Sequence, residues 1–158
     1  MPDMLVNLLK LSSLEPLLDE LKLKGINIRR AQSFEISPVR EFILKNFEPG
    51  WADEILVGFS QKPVAIFIAT KEGRVIGFAA YECTRRNFFG PTGVSPKMRG
   101  LKIGKALLLA SLWSLREMGY VYAIIGGVGP TEFYERAVGA TVIPESHPGI
   151  YTDILRRK

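Results

Sequence analysis

The stretch Val94-Ser-Pro-Lys-Met-Arg-Gly-Leu-Lys-Ile-Gly-Lys-Ala-Leu-Leu108 decides how this chain is read. Residues 88–94 have the apolar character of a short strand interrupted by Gly90-Pro91. Residues 103–118 set Ile103, Leu107, Ala110 and Trp113 on one face of a helix. A strand therefore runs into a helix across a turn that carries Gly100 and Gly104. At a helix start the first backbone N–H groups have no intrahelical partner, and the helix dipole adds partial positive charge there. Glycines let an anion approach the backbone closely. Arg99, Lys102 and Lys105 add full charges for phosphate oxygens. The segment is suited to holding a diphosphate.

Two other phosphate sites are excluded by spacing. No Gly-x-x-x-x-Gly-Lys-Ser/Thr occurs, so a nucleoside triphosphate loop is unsupported. No Gly-x-Gly-x-x-Gly follows the first strand, so a dinucleotide fold is unsupported. With 158 residues the chain is one domain's worth. Its 47% hydrophobic and 23% charged residues fit an ordinary globular domain rather than a disordered one. The net charge is +5, and Lys97, Arg99, Lys102 and Lys105 concentrate it in one segment, which suits a compact polyanion. No stripe of basic residues interleaved with aromatics is visible, so no nucleic-acid partner is expected. Arg156, Arg157 and Lys158 read as a solvated tail. A single cysteine, Cys83, and a single histidine, His147, leave no disulfide and no zinc cage, and no metal is expected. Residues 1–10 make a poor signal peptide, and no apolar run approaches the ~20 residues that span a bilayer. The expectation is a cytoplasmic protein without membrane contact.

Ser12 and Glu15 have capping-box spacing and Pro16 suits a first helical turn, so a helix is expected to about Lys22, ended by Gly25. Residues 26–30 alternate as a first strand. Ser37-Pro38 opens a second helix to about Asn46, and a third spans 51–60. Residues 64–70 and 75–83 form a hairpin across Glu72-Gly73. A strand at 121–125, a short helix from Thr131 to Val138, and two closing strands at 140–143 and 150–155 follow. The order describes an α/β domain with a mixed sheet.

The central segment closely resembles the signature of the GNAT superfamily of acetyl-CoA-dependent N-acyltransferases, Gln/Arg-x-x-Gly-x-Gly/Ala at a strand-helix junction. Val94-x-Pro96 before it and Gly104-Lys-Ala-Leu-Leu108 after it are also similar to the family. Glu132-Phe-Tyr-Glu-Arg-Ala-Val-Gly-Ala140 resembles its Phe/Leu-Tyr-x-x-x-Gly-Phe segment. The resemblance covers residue 26 to the C-terminus. The chain departs from it at Lys102, which takes the first-glycine slot, at Gly127, where asparagine is common, and at Phe88, where some members carry a glutamate. The resemblance implies a single GNAT-like domain over residues 25–158, with a mostly antiparallel mixed sheet, helices on both faces and an N-terminal helical extension over residues 1–24. It implies acetyl-CoA as co-substrate and makes a homodimer possible. Thr92, Gly93 and Val94 would pair with the pantetheine arm, the Thr92 N–H meeting the thioester carbonyl. Arg99, Gly100, Leu101, Lys102, Ile103, Gly104 and Lys105 would hold the pyrophosphate, Phe133 would line the arm, and Tyr134 would protonate the departing thiolate. A core tyrosine is the plainer reading of Tyr134.

For the acceptor, Trp51 and Glu54 on the third helix and Tyr81 on the hairpin are candidates, against Trp51 as a core anchor. Glu82 is the nearest carboxylate for a base in sequence terms, against a solvated strand end. His147 carries the side-chain type most often used as a general base, a lone loop histidine is more plainly surface, and the base stays open. Cys83 alternates with Tyr81 and reads as sheet packing. The implied reaction is direct transfer onto a small primary amine, such as an amino sugar, amino acid or polyamine. The rival readings are a non-catalytic acyl-CoA sensor and a nucleic-acid domain using the basic loop.

Overall fold

The chain enters its sheet at once. In the computed structural model, which describes residues 1–156, Met4–Asn7 (β1) buries Met4 and Val6 and leaves Leu5 and Asn7 half-exposed. A 3-10 turn at Leu8–Lys10 leads to α1 (Glu15–Leu23) and β2 (Ile26–Arg30). A second such turn, Ser33–Glu35, precedes α2 (Ile36–Asn46), then come α3 (Pro49–Phe59), β3 (Ile66–Lys71), β4 (Arg74–Tyr81) and β5 (Phe88–Val94). After the turn Pro96–Met98 follow α4 (Ile103–Glu117), β6 (Tyr122–Ile125), α5 (Thr131–Val138) and β7 (Thr141–Val142). Arg157 and Lys158 of the basic tail lie outside the described residues.

The seven strands form one sheet in the order β2-β3-β4-β5-β6-β1-β7. Every pairing is antiparallel except that of β5 with β6, for which α4 is the crossover. Two apolar layers hold it. On one face Leu17 and Leu21 of α1 and Ile103, Leu107 and Leu112 of α4 pack on Ala69, Ala79 and Phe89. On the other, Val39 and Ile43 of α2 and Ile55 and Phe59 of α3 pack on Ile66, Ile68 and Phe78. Each of the leucine, isoleucine, valine and phenylalanine side chains contributes about 1.5–3 kcal/mol when fully buried.

Three expectations are corrected. The first 24 residues are not a helical extension outside the domain. β1 pairs with β6 through Met4↔Ile125 and Val6↔Ala123 and with β7 through Met4↔Val142, and α1 folds back onto α4. The closing strand at 150–155 does not form. Gly149–Tyr151 is a 3-10 turn, and Ile154 and Leu155 are exposed, because β1 takes the place beside β6 that a last strand would have filled. The capping box at Ser12 and Glu15 is absent as well: Leu14 is the N-cap of α1 and makes no side-chain bond. A capping box forms instead between Gln32 and Glu35. No helix among the described residues is long and apolar enough to cross a membrane.

Met4 is fully buried between two strands. Met4→Ala should destabilise the fold by about 2–5 kcal/mol in denaturant titration. A loss below about 0.5 kcal/mol would show that β1 is peripheral to the sheet.

Candidate active site

β5 and β6 pair only at Phe88↔Ile124 and Phe89↔Ile125, and then they part. Beyond Phe89, β5 keeps β4 on one side and has no strand on the other. Hydrogen-bond direction can be read along it. The Ser95 N–H donates to the Ile76 carbonyl at 2.8 Å, so Ser95 faces β4. Backbone groups alternate sides along a strand, so Gly93 faces β4 and Thr92 and Val94 face the gap. The Arg99 Nε–H donates to the Val94 carbonyl at 3.3 Å from that open side.

The gap is the inner end of a cavity of about 650 Å³. Thr92, Gly93, Val94, Arg99, Gly100, Lys102, Ile103, Gly104, Lys105 and Phe133 line it, with Tyr134, Trp51 and Phe47. Leu101 is the exception among the residues expected there, because its side chain packs into the layer under α4. The start of α4 opens on this cavity. Its first intrahelical bond runs from the Ala106 N–H to the Lys102 carbonyl, and no side chain among the described residues caps it. The N–H groups of Ile103, Gly104 and Lys105 are thus left for a ligand. Lys102 sits at φ 67, the left-handed conformation that explains why a glycine is usual in this slot. Its Nζ lies 3.6 Å from Glu20 of α1. At Gly93 any Cβ would overlap the Phe47 ring, with Cε1 at 2.7 Å, so the close packing of α2's end on β5 requires glycine.

Tyr134 reaches the same cavity from α5, which Gly139 ends in the left-handed conformation at φ 65. Its side chain is 9% exposed, and Phe133 and Phe89 present their edges at 5.0 and 6.5 Å. No group among the described residues hydrogen-bonds its hydroxyl. Burial pushes the phenol up to about 12, so it holds its proton throughout the neutral range.

The acceptor-side residues divide. Trp51 stacks on Phe47 at 5.4 Å and forms part of both this cavity and an adjoining one of about 330 Å³. Glu54, one turn further along α3, lines the adjoining cavity and accepts a hydrogen bond from the Thr84 hydroxyl. Tyr81 is not brought there. It points to the opposite face of the sheet, where its hydroxyl accepts from Arg30 and its ring stacks on Phe67. Glu82 is not brought there either. Its carboxylate accepts from the Tyr120 hydroxyl at 2.9 Å and from the Asn87 N–H, and so closes the loop between β4 and β5. Cys83 is buried, and burial pushes its thiol up to about 12, which leaves it unreactive. His147 lies on the rim of the smaller cavity.

Phe47, Phe89, Thr84 and Tyr151 also line these cavities and were not singled out in the sequence. Only their aromatic character hinted at three of them. Tyr151 fell within an expected strand. No group of three or more His, Cys, Asp or Glu among the described residues is placed to hold a metal ion.

A half-open central strand thus faces an uncapped helix start, with a buried phenol between them, in one α/β domain. Residues 62–137 match the family described as "Acetyltransferase (GNAT) domain", just under half of the chain. Over residues 62–137 the chain is similar to that family. Solved structures agree on the fold. A GCN5-related glucosamine N-acetyltransferase region of a fungal multi-domain GH3 β-N-acetylglucosaminidase superposes with a TM-score of 0.72 at 17% identity, over 90% of this chain and 19% of that one. A GCN5-related N-acetyltransferase from Sphaerobacter thermophilus superposes with a TM-score of 0.67 at 18% identity, over 90% of this chain and 48% of that one. A GNAT family acetyltransferase from Brucella melitensis, in complex with acetyl-CoA, gives 0.53 at 19% identity, over 75% and 86%. The chain thus spans less than half the length of the first two. No curated protein matches it significantly.

The Tyr134 phenol ionises at about 10 when unfolded and about 12 when folded. Between those values the native state keeps a proton that the unfolded state has lost, so this contribution to stability is complete below pH ~10 and disappears as pH rises through ~12. It amounts to roughly 2–3 kcal/mol. Tyr134→Phe should therefore lose less stability than the wild type between about pH 9 and pH 11 in denaturant titrations. Parallel pH profiles for the two proteins would contradict the assignment.

Proposed function

We propose that this protein is an acetyl-CoA-dependent N-acetyltransferase that moves the acetyl group directly onto a primary amine of a small molecule. The observation that carries the reading is convergence: the open edge of β5, the free N–H groups of α4 and the partnerless Tyr134 hydroxyl all face one cavity. The residues fit acetyl-CoA in shape and chemistry. Thr92 and Val94 offer backbone groups to an extended amide-bearing arm as a neighbouring strand would. The start of α4, with Lys105, Arg99 and Lys102, offers N–H groups and positive charge to a diphosphate. Phe133 gives the arm an apolar wall.

When bound, acetyl-CoA supplies a thioester carbon open to attack and a thiolate that leaves. The Thr92 N–H is aimed at the gap and stabilises negative charge that develops on the thioester oxygen. Tyr134 holds its proton and donates it to the departing sulfur. The amine is reached from the Trp51 side, where the second cavity opens. No carboxylate lines the cavity beside Tyr134, so neither Glu82 nor another acid of this chain is assigned as base there.

A thiol-release assay with a panel of amines tests the reading. Binding of acetyl-CoA without turnover on any amine would instead support a sensor of acyl-CoA. Tyr134→Phe should lower kcat by about 10- to 100-fold while acetyl-CoA affinity stays nearly constant. Unchanged turnover would remove Tyr134 from the chemistry. A Cβ at Gly104 would sit 3.8 Å from Phe133 and Val94, an ordinary contact that the fold accepts. Gly104→Glu then places a carboxylate at the helix start and should weaken coenzyme A binding by about tenfold or more. Equal affinity in calorimetric titration would move the diphosphate site elsewhere.

A further inference from the structure

Past Trp51 and Phe89 the site continues in two spaces of different character. The inner one, about 410 Å³, has Tyr134 and Thr92 in its wall beside Val128 and Pro130, and no lining side chain carries a charge. The outer one, about 330 Å³, shares Trp51, Phe89 and Pro91 with it and adds Glu54, Thr84, His147 and Tyr151. No lysine or arginine lines the outer space.

Glu54 is half-buried on α3, and one of its oxygens takes the Thr84 hydroxyl. A carboxylate accepts through both oxygens, so capacity remains. No cation among the described residues forms an ion pair with it. Arg85, next to Thr84 in the chain, donates from its guanidinium to the Thr84 carbonyl at 2.8 Å, and the Met1 ammonium, which borders the outer space, lies against His147 Nδ1 at 3.0 Å. The Tyr151 phenol reports the local field. It is raised first by burial and then by Glu54 and Asp3, with Arg85 opposing. A carboxylate drawn into a largely apolar enclosure is stabilised when a cation joins it. The inner space, whose lining side chains carry no charge and which the Met1 amino group borders, has the opposite preference and favours an amine in its neutral form, the form that attacks.

The geometry points to a dicationic acceptor, a short aliphatic diamine or a related molecule. One ammonium sits on Glu54 in the outer space, and the second amino group is presented, without its extra proton, between Thr92 and Tyr134. The reacting end rests on the transferase reading above, whereas the Glu54 end does not.

Equilibrium titration of the coenzyme A-saturated protein with 1,4-diaminobutane and with n-butylamine tests it. The diamine should bind at least about tenfold more tightly. Glu54→Gln, which keeps the shape and an acceptor for Thr84, should bring the ratio close to one. Affinities within about twofold of each other in the wild type, or a preference that survives Glu54→Gln, would overturn the assignment. The wild-type ratio decides alone if the variant does not fold. Because titration needs no turnover, the two readings fail separately. A protein that prefers the diamine yet acetylates nothing refutes the transferase and leaves the Glu54 site. One that acetylates both amines with equal kcat/KM refutes the Glu54 site and leaves the transferase.

Discussion

A central strand that loses one neighbour halfway along leaves backbone donors and acceptors without partners, and each such group costs about 1–3 kcal/mol if it is also cut off from water. β5 is in that position beyond Phe89, and the functional architecture follows from it. Because β5 runs by way of one turn into α4, and β6 by way of one loop into α5, the space between the two strands is also the space between two helix starts. The start of α4 brings uncapped N–H groups to it, and α5 brings Tyr134. Strand, cation and phenol are therefore placed by one topological decision. A ligand with an amide-bearing arm and a diphosphate satisfies all of these groups together, whereas the free protein holds the Val94 carbonyl only by the 3.3 Å contact from Arg99.

β1 supports the opposite wall. Its strand separates β6 from β7, and the residues just before it fasten the loops of the acceptor side. The Pro2 and Asp3 carbonyls accept from Val128 and Ile143 at 2.8 and 2.9 Å. The Asp3 carboxylate accepts from the Gly127 N–H at 2.8 Å, and the Asp3 N–H donates to Ser146 Oγ at 2.8 Å. The walls of the inner space formed by residues 126–130 are thus held by the first few residues of the chain. An insertion or deletion there acts on the site and the sheet together.

The side proposed to hold the cofactor was legible in the sequence as one cluster because its physics is local. Strand, turn, cations and helix lie within one continuous stretch, and every residue expected there lines the cavity except Leu101, which obeys the helical periodicity of its neighbours and turns inward. The acceptor side depends on long-range geometry. Tyr81 and Phe78 sit on opposite faces of β4, and nothing in a strand without a charged residue after Arg74 announces which parity meets α3. Glu82 is near the opening along the chain, yet its left-handed backbone at φ 57 turns it to Tyr120 and Asn87. Glu54 was legible as an acceptor-side candidate beside Trp51, whereas its bond from Thr84 depends on a loop 30 residues away in sequence. β1 escaped notice because four residues of weak alternation before a leucine-rich stretch carry too little period to register.

The distribution of charge along the site forms one consistent scheme. Positive groups gather where a diphosphate would lie, Glu54 stands at the far end, and no side chain lining the inner space beside Tyr134 carries a charge. An apolar enclosure penalises ions of either sign. It keeps the phenol protonated to about 12, and by the same argument it disfavours an ammonium at the point of attack and a free thiolate at the point of departure. The thiolate is the more demanding case. A phenol with a pKa near 12 is a weaker acid than a thiol in water, where thiols ionise at about 8.5, so transfer of its proton to sulfur looks unfavourable on solution values alone. The enclosure changes the comparison, since the sulfur anion is desolvated in the same place and its pKa rises with that of the phenol. The two acidities then approach one another, and a hydrogen bond that is absent in the free protein becomes available as the negative charge develops. On the proposed reading, Tyr134 would act by being isolated rather than activated: no group among the described residues hydrogen-bonds its hydroxyl, so its proton would be available to the leaving sulfur.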